Sequence, residues 1–428
     1  MINQLKHWII ILISVFMFSC KGSQKTMTPR NLERIYNPAS STLHPEIKVY
    51  NISDSTSLFV ERIYCKDLLY NQANVENKLL ARVKVIYNLY DINNKQNLVD
   101  SATNTFNFEK NTNILYHTLE IPVKTSIGNS YILEVITSDI NRNNNQYSFR
   151  IIDRLNHINP QDFMVTNTLN NELLTNSLIN EKAQFSIKHY KEDFDFFTIY
   201  YYSYNFKTPD PPYMNDSVYG EFELADTNWI CYVDSIHYSD FQEEGVYYFK
   251  TKNATLELSE GFALFNFGEG FPVVRTPDDL AKPLKYLGAI DSVQVSDSTG
   301  KLTKLAVDKF WLDKANNLDK AKELLKVYYN RVMFANMYFT SYKEGWQTDR
   351  GMIYIIYGLP DYLFKSGEEE RWIYNPVGVG PGISFTFKFM RNPFSLNHYK
   401  LDREKLKTTG WDEAIKLWNS GEILYFQN

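Results

Sequence analysis

Gly345-Trp346-Gln347-Thr348-Asp349-Arg350-Gly351 runs directly into Met352-Ile353-Tyr354-Ile355-Ile356-Tyr357-Gly358-Leu359-Pro360-Asp361. Gly345 reads as a helix stop, because a residue without Cβ takes the left-handed conformation that ends a helix. Thr348 and Asp349 carry short polar side chains that bond nearby backbone and fix a turn. Ile353 to Tyr357 then reads as a buried strand, and Gly358-Leu359-Pro360-Asp361 as the turn that closes it. Upstream, Leu318, Ala321, Leu325, Tyr328, Val332, Ala335, Phe339 and Tyr342 recur at three- and four-residue spacing, so a long helix presents one apolar face. Downstream, Glu370–Tyr374 and Ile383–Arg391 read as strands. In the second, Phe385, Phe387 and Phe389 alternate with Thr386, Lys388 and Met390, which buries one face. Shorter helices are expected over Leu280–Ile290, Leu302–Leu312 and, at the end, Asp402–Trp418.

The stretch from Gly345 to Gly351, with the Gly358-x-Pro360-Asp361 turn behind it, resembles the signature of the GWxTD-domain family, a group of bacterial envelope lipoproteins. The resemblance covers about Leu280 to Asn428. It implies a lipid-anchored envelope protein and names no reaction. The strand, Gly-x-Pro turn, Trp372-x-Tyr374 and following strand are also similar to small lipoprotein subunits of the outer-membrane protein assembly machine, a fold analogy that does not fix function.

The N-terminus agrees with an envelope address. Lys6 and His7 precede the apolar run Trp8 to Phe18, which is short for a membrane span and ends at Ser19-Cys20. A small residue before Cys at that point looks like a lipoprotein signal-peptidase site, with 1–19 as signal peptide and Cys20 as the lipidated first residue. An ordinary secretory signal or an uncleaved anchor is the other reading. No acidic residue follows in Lys21 to Met27, which favours the periplasmic face of the outer membrane over the cell surface. Residues 20–45, polar and carrying Pro29, Pro38 and Pro45, read as a tether.

At 428 residues the chain holds two or three domains. A net charge of −5 marks no nucleic-acid or anionic-membrane surface. Aromatic residues reach 15%, and together with many short alternating runs they favour β-structure. Residues 46–157 show seven short strands with turns between them, an antiparallel sandwich of immunoglobulin-like type. Residues 158–276 form a second β-rich module, with strands at Phe163–Thr166, Ala183–His189, Phe196–Tyr204, Ser217–Glu223, Tyr247–Lys250 and Gly261–Phe267. Residues 277–428 complete an α+β multi-domain chain: two β-sandwich modules, then the GWxTD domain. The strand Phe196–Tyr204 is either a central strand with aromatics on both faces or, if Phe197, Tyr200, Tyr201, Tyr202 and Tyr204 are exposed together, a platform for a glycan or peptide. Cys65 and Cys231 lie in different modules and read as two free buried thiols, against the disulfide that an oxidising compartment permits.

Catalytic signatures are missing from the sequence: there is no H-E-x-x-H, G-x-S-x-G, phosphate loop or Cys/His zinc pattern. Asp349 is the candidate general base or metal ligand, against the plainer role of capping backbone or pairing with an Arg. Trp346 is a candidate partner anchor or a core pin. Glu368-Glu369-Glu370 reads as a solvated hairpin loop; a calcium site there or at Asp193/Asp195 lacks full ligand spacing. The motif residues Gly345, Trp346, Thr348, Asp349, Arg350, Gly351, Pro360 and Asp361 are therefore expected to be structural or partner-binding, with no catalytic residue, cofactor or metal. The function expected is a non-enzymatic scaffold or accessory subunit of an outer-membrane complex. A glycan- or peptide-binding lipoprotein and a hydrolase centred on Asp349 are the alternatives.

Overall fold

A computed structural model describes residues 31–423, apart from 73–77, 93–96, 156–158, 180–183, 204–205, 216–224, 234–240, 252–260, 289–303, 376–381 and 407–408. Cys20 and the signal segment, the strand expected at Ser217–Glu223 and most of the C-terminal tail lie outside these residues.

The first module is two antiparallel sheets over one core. Strands β1 (Glu46–Ser53), β2 (Thr56–Tyr64) and β6 (Tyr116–Lys124) form one sheet in the order β1-β2-β6. The other contains β3 (Asn71–Gln72), β4 (Leu79–Asp91), β5 (Leu98–Glu109), β7 (Ser130–Asp139) and β8 (Asn144–Asp153), with β4 at its centre. Ala81, Val83, Val85, Tyr87 and Leu89 alternate along β4, and all five point into the core against Val49, Phe59 and Ile63 of the facing sheet. A period of two with one face buried is what the sequence pattern required.

The second module pairs a small sheet, β10 (Glu172–Leu173), β9 (Phe163–Asn167) and β11 (Phe185–His189), with a larger one. The larger sheet holds β12 (Phe196–Ser203), β13 (Thr227–Tyr232), β14 (Gly245–Thr251) and β15 (Gly261–Asn266) in the order β13-β12-β14-β15. One face packs on β9 and β11 through Phe197, Ile199, Tyr247 and Phe249. Val246, Tyr248, Ala263 and Phe265 on the other face meet Tyr342 and Phe394 of the C-terminal part. Both faces are covered, so all six residues of β15 are buried and the strand reads as an apolar run up to its last residue, Asn266.

The C-terminal part sets helices on a four-stranded antiparallel meander. The strands are β16 (Tyr362–Lys365), β17 (Glu369–Tyr374), β18 (Ile383–Phe389) and β19 (Tyr399–Leu401), paired in chain order. The long helix Leu318–Phe339 buries Ala321, Leu324, Tyr328, Val332, Ala335 and Phe339. Tyr342 lies beyond its end.

Two expectations are corrected here. Ile353–Tyr357 is not a strand: Asp349–Tyr357 is an α-helix with all nine residues buried. A helix covered on every side has no polar face, so its composition imitates a buried strand. Residues 31–45 are not a free tether either. Leu32, Ile35 and Tyr36 belong to the core of the C-terminal part, and Leu43 belongs to that of the first sandwich. The backbone N–H of Leu32 donates to the Leu363 carbonyl at 2.8 Å. The Asn31 side chain bonds the Asp361 carbonyl at 2.7 Å and accepts from Leu363 N–H at 2.8 Å. The chain thus straps its N-terminal segment along β16 before entering the first sandwich.

Candidate functional site

The motif begins where the long helix stops. Its C-cap is Thr340, not Gly345. Thr340 Oγ1 donates to the Asn336 carbonyl at 2.6 Å and accepts from Gly345 N–H at 3.0 Å. Asn336 Oδ1 accepts from Trp346 N–H at 3.0 Å. Gly345 is required by space: a Cβ there would lie 1.8 Å from the Ala335 carbonyl oxygen. A Cβ on Gly351 would lie 1.9 Å from the Gly345 carbonyl oxygen. Long helix, motif turn and motif helix therefore stack backbone on backbone through two positions that only glycine fills.

Thr348 is the N-cap of the motif helix. Its hydroxyl accepts from Gly351 N–H at 3.0 Å and donates to the Gly345 carbonyl at 2.7 Å. Asp349, in the first helical turn, pairs with Arg403 at 2.9 Å and accepts from Leu401 N–H at 3.2 Å, so one oxygen is held by β19 and the other by an arginine just past its end. Trp346 is buried, its carbonyl accepting from Tyr286 OH at 2.8 Å. Pro360 is buried in the closing turn, and Asp361 Oδ2 accepts from Asn375 N–H at 2.6 Å.

Arg350 forms the centre. It is 1% exposed and donates to Glu370 Oε1 at 2.9 Å. Its other terminal nitrogen donates to the Asn397 carbonyl and Oδ1 at 2.8 and 2.7 Å. The guanidinium lies 4.2 Å from the Tyr399 ring centroid and 5.1 Å from that of Phe339. Glu370 is fully buried and also receives Lys365, Tyr36 OH at 2.9 Å and Trp372 Nε1 at 3.2 Å. Burial acting alone would raise this carboxyl, but Lys365 and Arg350 overcome it and hold the pKa at about 2. The same burial raises the Tyr36 phenol, so that group stays a neutral donor.

The solvated loop expected at Glu368–Glu370 is thus corrected: Glu370 is the anion on which the C-terminal part is built. The signal was present, because Glu370, Trp372 and Tyr374 share one face of β17 at a period of two, and the last two are plainly core. Tyr36, Lys365, Asn397, Tyr399 and Arg403 carried no comparable mark, since each reaches the motif from a distant segment.

These contacts define a closed clamp. The motif side chains named above are buried or bonded within the chain, and no motif residue lines a cleft of roughly 270 Å³, found among the described residues and bounded by Leu178, Glu244, Asn266, Phe267 and Gly270. Among the described residues no group of three His, Cys, Asp or Glu could hold a metal ion, and no helix is long and apolar enough to cross a membrane. Cys65 and Cys231 are both free thiols. The aromatic strand β12 forms no single platform. Phe197 is buried and Tyr201 packs on the same core, while Tyr200 and Tyr202 pack on the opposite face. Tyr204 lies outside the described residues.

Residues 245–420 match the family described as the GWxTD domain. The match opens in β14, so it includes β14 and β15 as well as the helices, the motif and the meander. No curated protein matches the chain.

Proposed function

We propose that this member of the GWxTD-domain family is a non-enzymatic, lipid-anchored envelope protein, acting as a scaffold or accessory subunit of an outer-membrane complex that assembles or exports proteins. One observation carries the reading: Arg350 pairs with Glu370, and Asp349 pairs with Arg403, inside the core, which is the work of a clamp. A general base must lie within reach of a substrate proton, and Asp349 is buried and lines no part of the cleft described above. Both Asp349 oxygens are already bonded. The N-terminal apolar run ending at Ser19-Cys20 supports the anchor at Cys20, and the absence of acidic residues just after it supports the periplasmic face. Two β-rich modules stacked on a helical domain offer extended surface for partners, and no cofactor enters the reading.

The test is affinity purification of the tagged, lipidated protein from gently solubilised membranes, with the co-purifying proteins identified by mass spectrometry. A stoichiometric outer-membrane β-barrel is the expected result. A protein that emerges alone under conditions that keep other envelope complexes intact overturns the accessory-subunit reading.

A further inference from the structure

The strap gives the molecule a direction. Asn31 and Leu32 bond Asp361 and Leu363, at the start of β16. Tyr36, four residues beyond Leu32, bonds Lys365 and Glu370 at the other end of the β16–β17 hairpin. The first sandwich meets that second end. Gly367 in the hairpin turn lies against Ile92, which a Cβ on it would approach to 2.2 Å, and Arg391 is 3.8 Å from Asp153. The chain therefore enters the C-terminal domain at the Tyr362 end of its sheet, follows the strand, and leaves for the sandwich at the opposite end.

Cys20 and Asn31 are 11 residues apart in sequence. At full extension that spans only about 40 Å, and a less extended chain spans less. The intervening residues 21–30 carry Lys21, Lys25 and Arg30 and no acidic residue, in a chain whose net charge is −5. Basic residues beside a lipid anchor are drawn to anionic headgroups. The end of the sheet where the strap enters shows an aromatic pair on its outer face. Tyr362 is 44% exposed and stacks on Phe364, with centroids 6.5 Å apart and planes 1° from parallel. Ile373, the register partner of Tyr362, stands beside it and is half-buried. Tyr362, with an apolar ring and a polar hydroxyl, suits the boundary between water and lipid, with Phe364 adding apolar surface beside it.

We infer that the GWxTD domain is the membrane-proximal unit and meets the bilayer surface with the Tyr362–Phe364 end of its sheet, holding the first sandwich on the far side. The occupant of this end is lipid. The inference rests on the lipid anchor at Cys20 proposed above, and the two fail in different ways.

The experiment uses the full lipidated chain, with Cys65→Ser and Cys231→Ser, carrying one fluorophore at Tyr362→Cys, at Asn375→Cys or at Asn107→Cys. Asn375 is exposed at the same end as Tyr362, and Asn107 is exposed on β5 of the first sandwich. Each protein is placed in phosphatidylethanolamine/phosphatidylglycerol vesicles containing brominated lipid, and the mass of the N-terminal peptide is measured on the same sample. A lipidated Cys20 with several-fold stronger quenching at 362 and 375 than at 107 is expected. A lipidated Cys20 with both sites unquenched overturns the orientation and leaves the anchor standing. An unlipidated Cys20 overturns the anchor and this inference with it.

Discussion

A single methyl group at position 351 is a direct probe of the clamp, because its carbon would sit 1.9 Å from a backbone oxygen that is itself held by Thr348. Neither backbone can retreat without moving a helix. Gly351→Ala is therefore expected to cost at least the roughly 1–3 kcal/mol of an overpacked core, measured as a drop in the denaturation midpoint at unchanged slope. Glu370 makes the second residue-scale prediction. Its folded pKa of about 2 lies below the ordinary 4.5, so its contribution is fully present above pH 4.5 and is lost as pH falls towards 2. The difference amounts to about 3 kcal/mol. Glu370→Ala leaves Arg350 and Lys365 facing each other in a buried site, and about 3–5 kcal/mol should be lost at pH 7. Urea titrations of wild type and variant from pH 3 to 7 check both: the gap should narrow as acid is added, and a gap independent of pH would exclude the buried anion. That this glutamate was readable from β17, while Lys365 and Tyr36 were not, has a plain cause. Alternation reports which way a side chain points, and nothing local reports what waits there.

Among the elements, the motif helix was the hardest to read. Asp349–Tyr357 contains three isoleucines and two tyrosines, side chains that suit strands, and its apolar run Met352 to Tyr357 is too short for a helix to be told from a buried strand. The surviving signal was Thr348, an N-cap residue standing three before Gly351. Thr348→Ala should cost about 1–2 kcal/mol, and Thr348→Ser should recover most of it, because the capping oxygen remains. Strands β4 and β18 were readable because each leaves one face half in water. Strand β2 hides an exception. Glu61 is fully buried between the sheets and bonded by Thr137. Burial raises its carboxyl to about 7, above the ordinary 4.5. Its penalty is absent below pH 4.5, grows as pH rises from 4.5 to about 7 and is complete above that, opposite in sign to Glu370. Glu61→Gln should thus stabilise the protein above pH 7 and change little near pH 4, a difference readable from thermal midpoints at the two values.

Across the whole molecule, two β-modules and an α+β C-terminal domain were legible, but the connection that closes the chain on itself was not. Leu32, Ile35 and Tyr36 are three apolar side chains among Pro, Asn and Ser, a pattern indistinguishable from a linker until the groove that receives them exists more than 300 residues later. The strap buries all three, bonds both backbone groups of Leu363 in β16 and supplies the phenol that caps Glu370. A plain tether could be shortened without consequence, and a strap could not. A chain beginning at Asn37 is expected to lose on the order of 5 kcal/mol relative to one beginning at Asn31, from three buried side chains at about 1.5–3 kcal/mol each. The loss should concentrate where the strap lies. Amide exchange should quicken in the second half of the long helix, around Phe334 to Phe339, and along β16 and β17, while β4 and β7 of the first sandwich keep their protection. Equal stability of the two chains, with unchanged exchange in the long helix, would return residues 31–36 to the role of a linker and remove the clamp's N-terminal half.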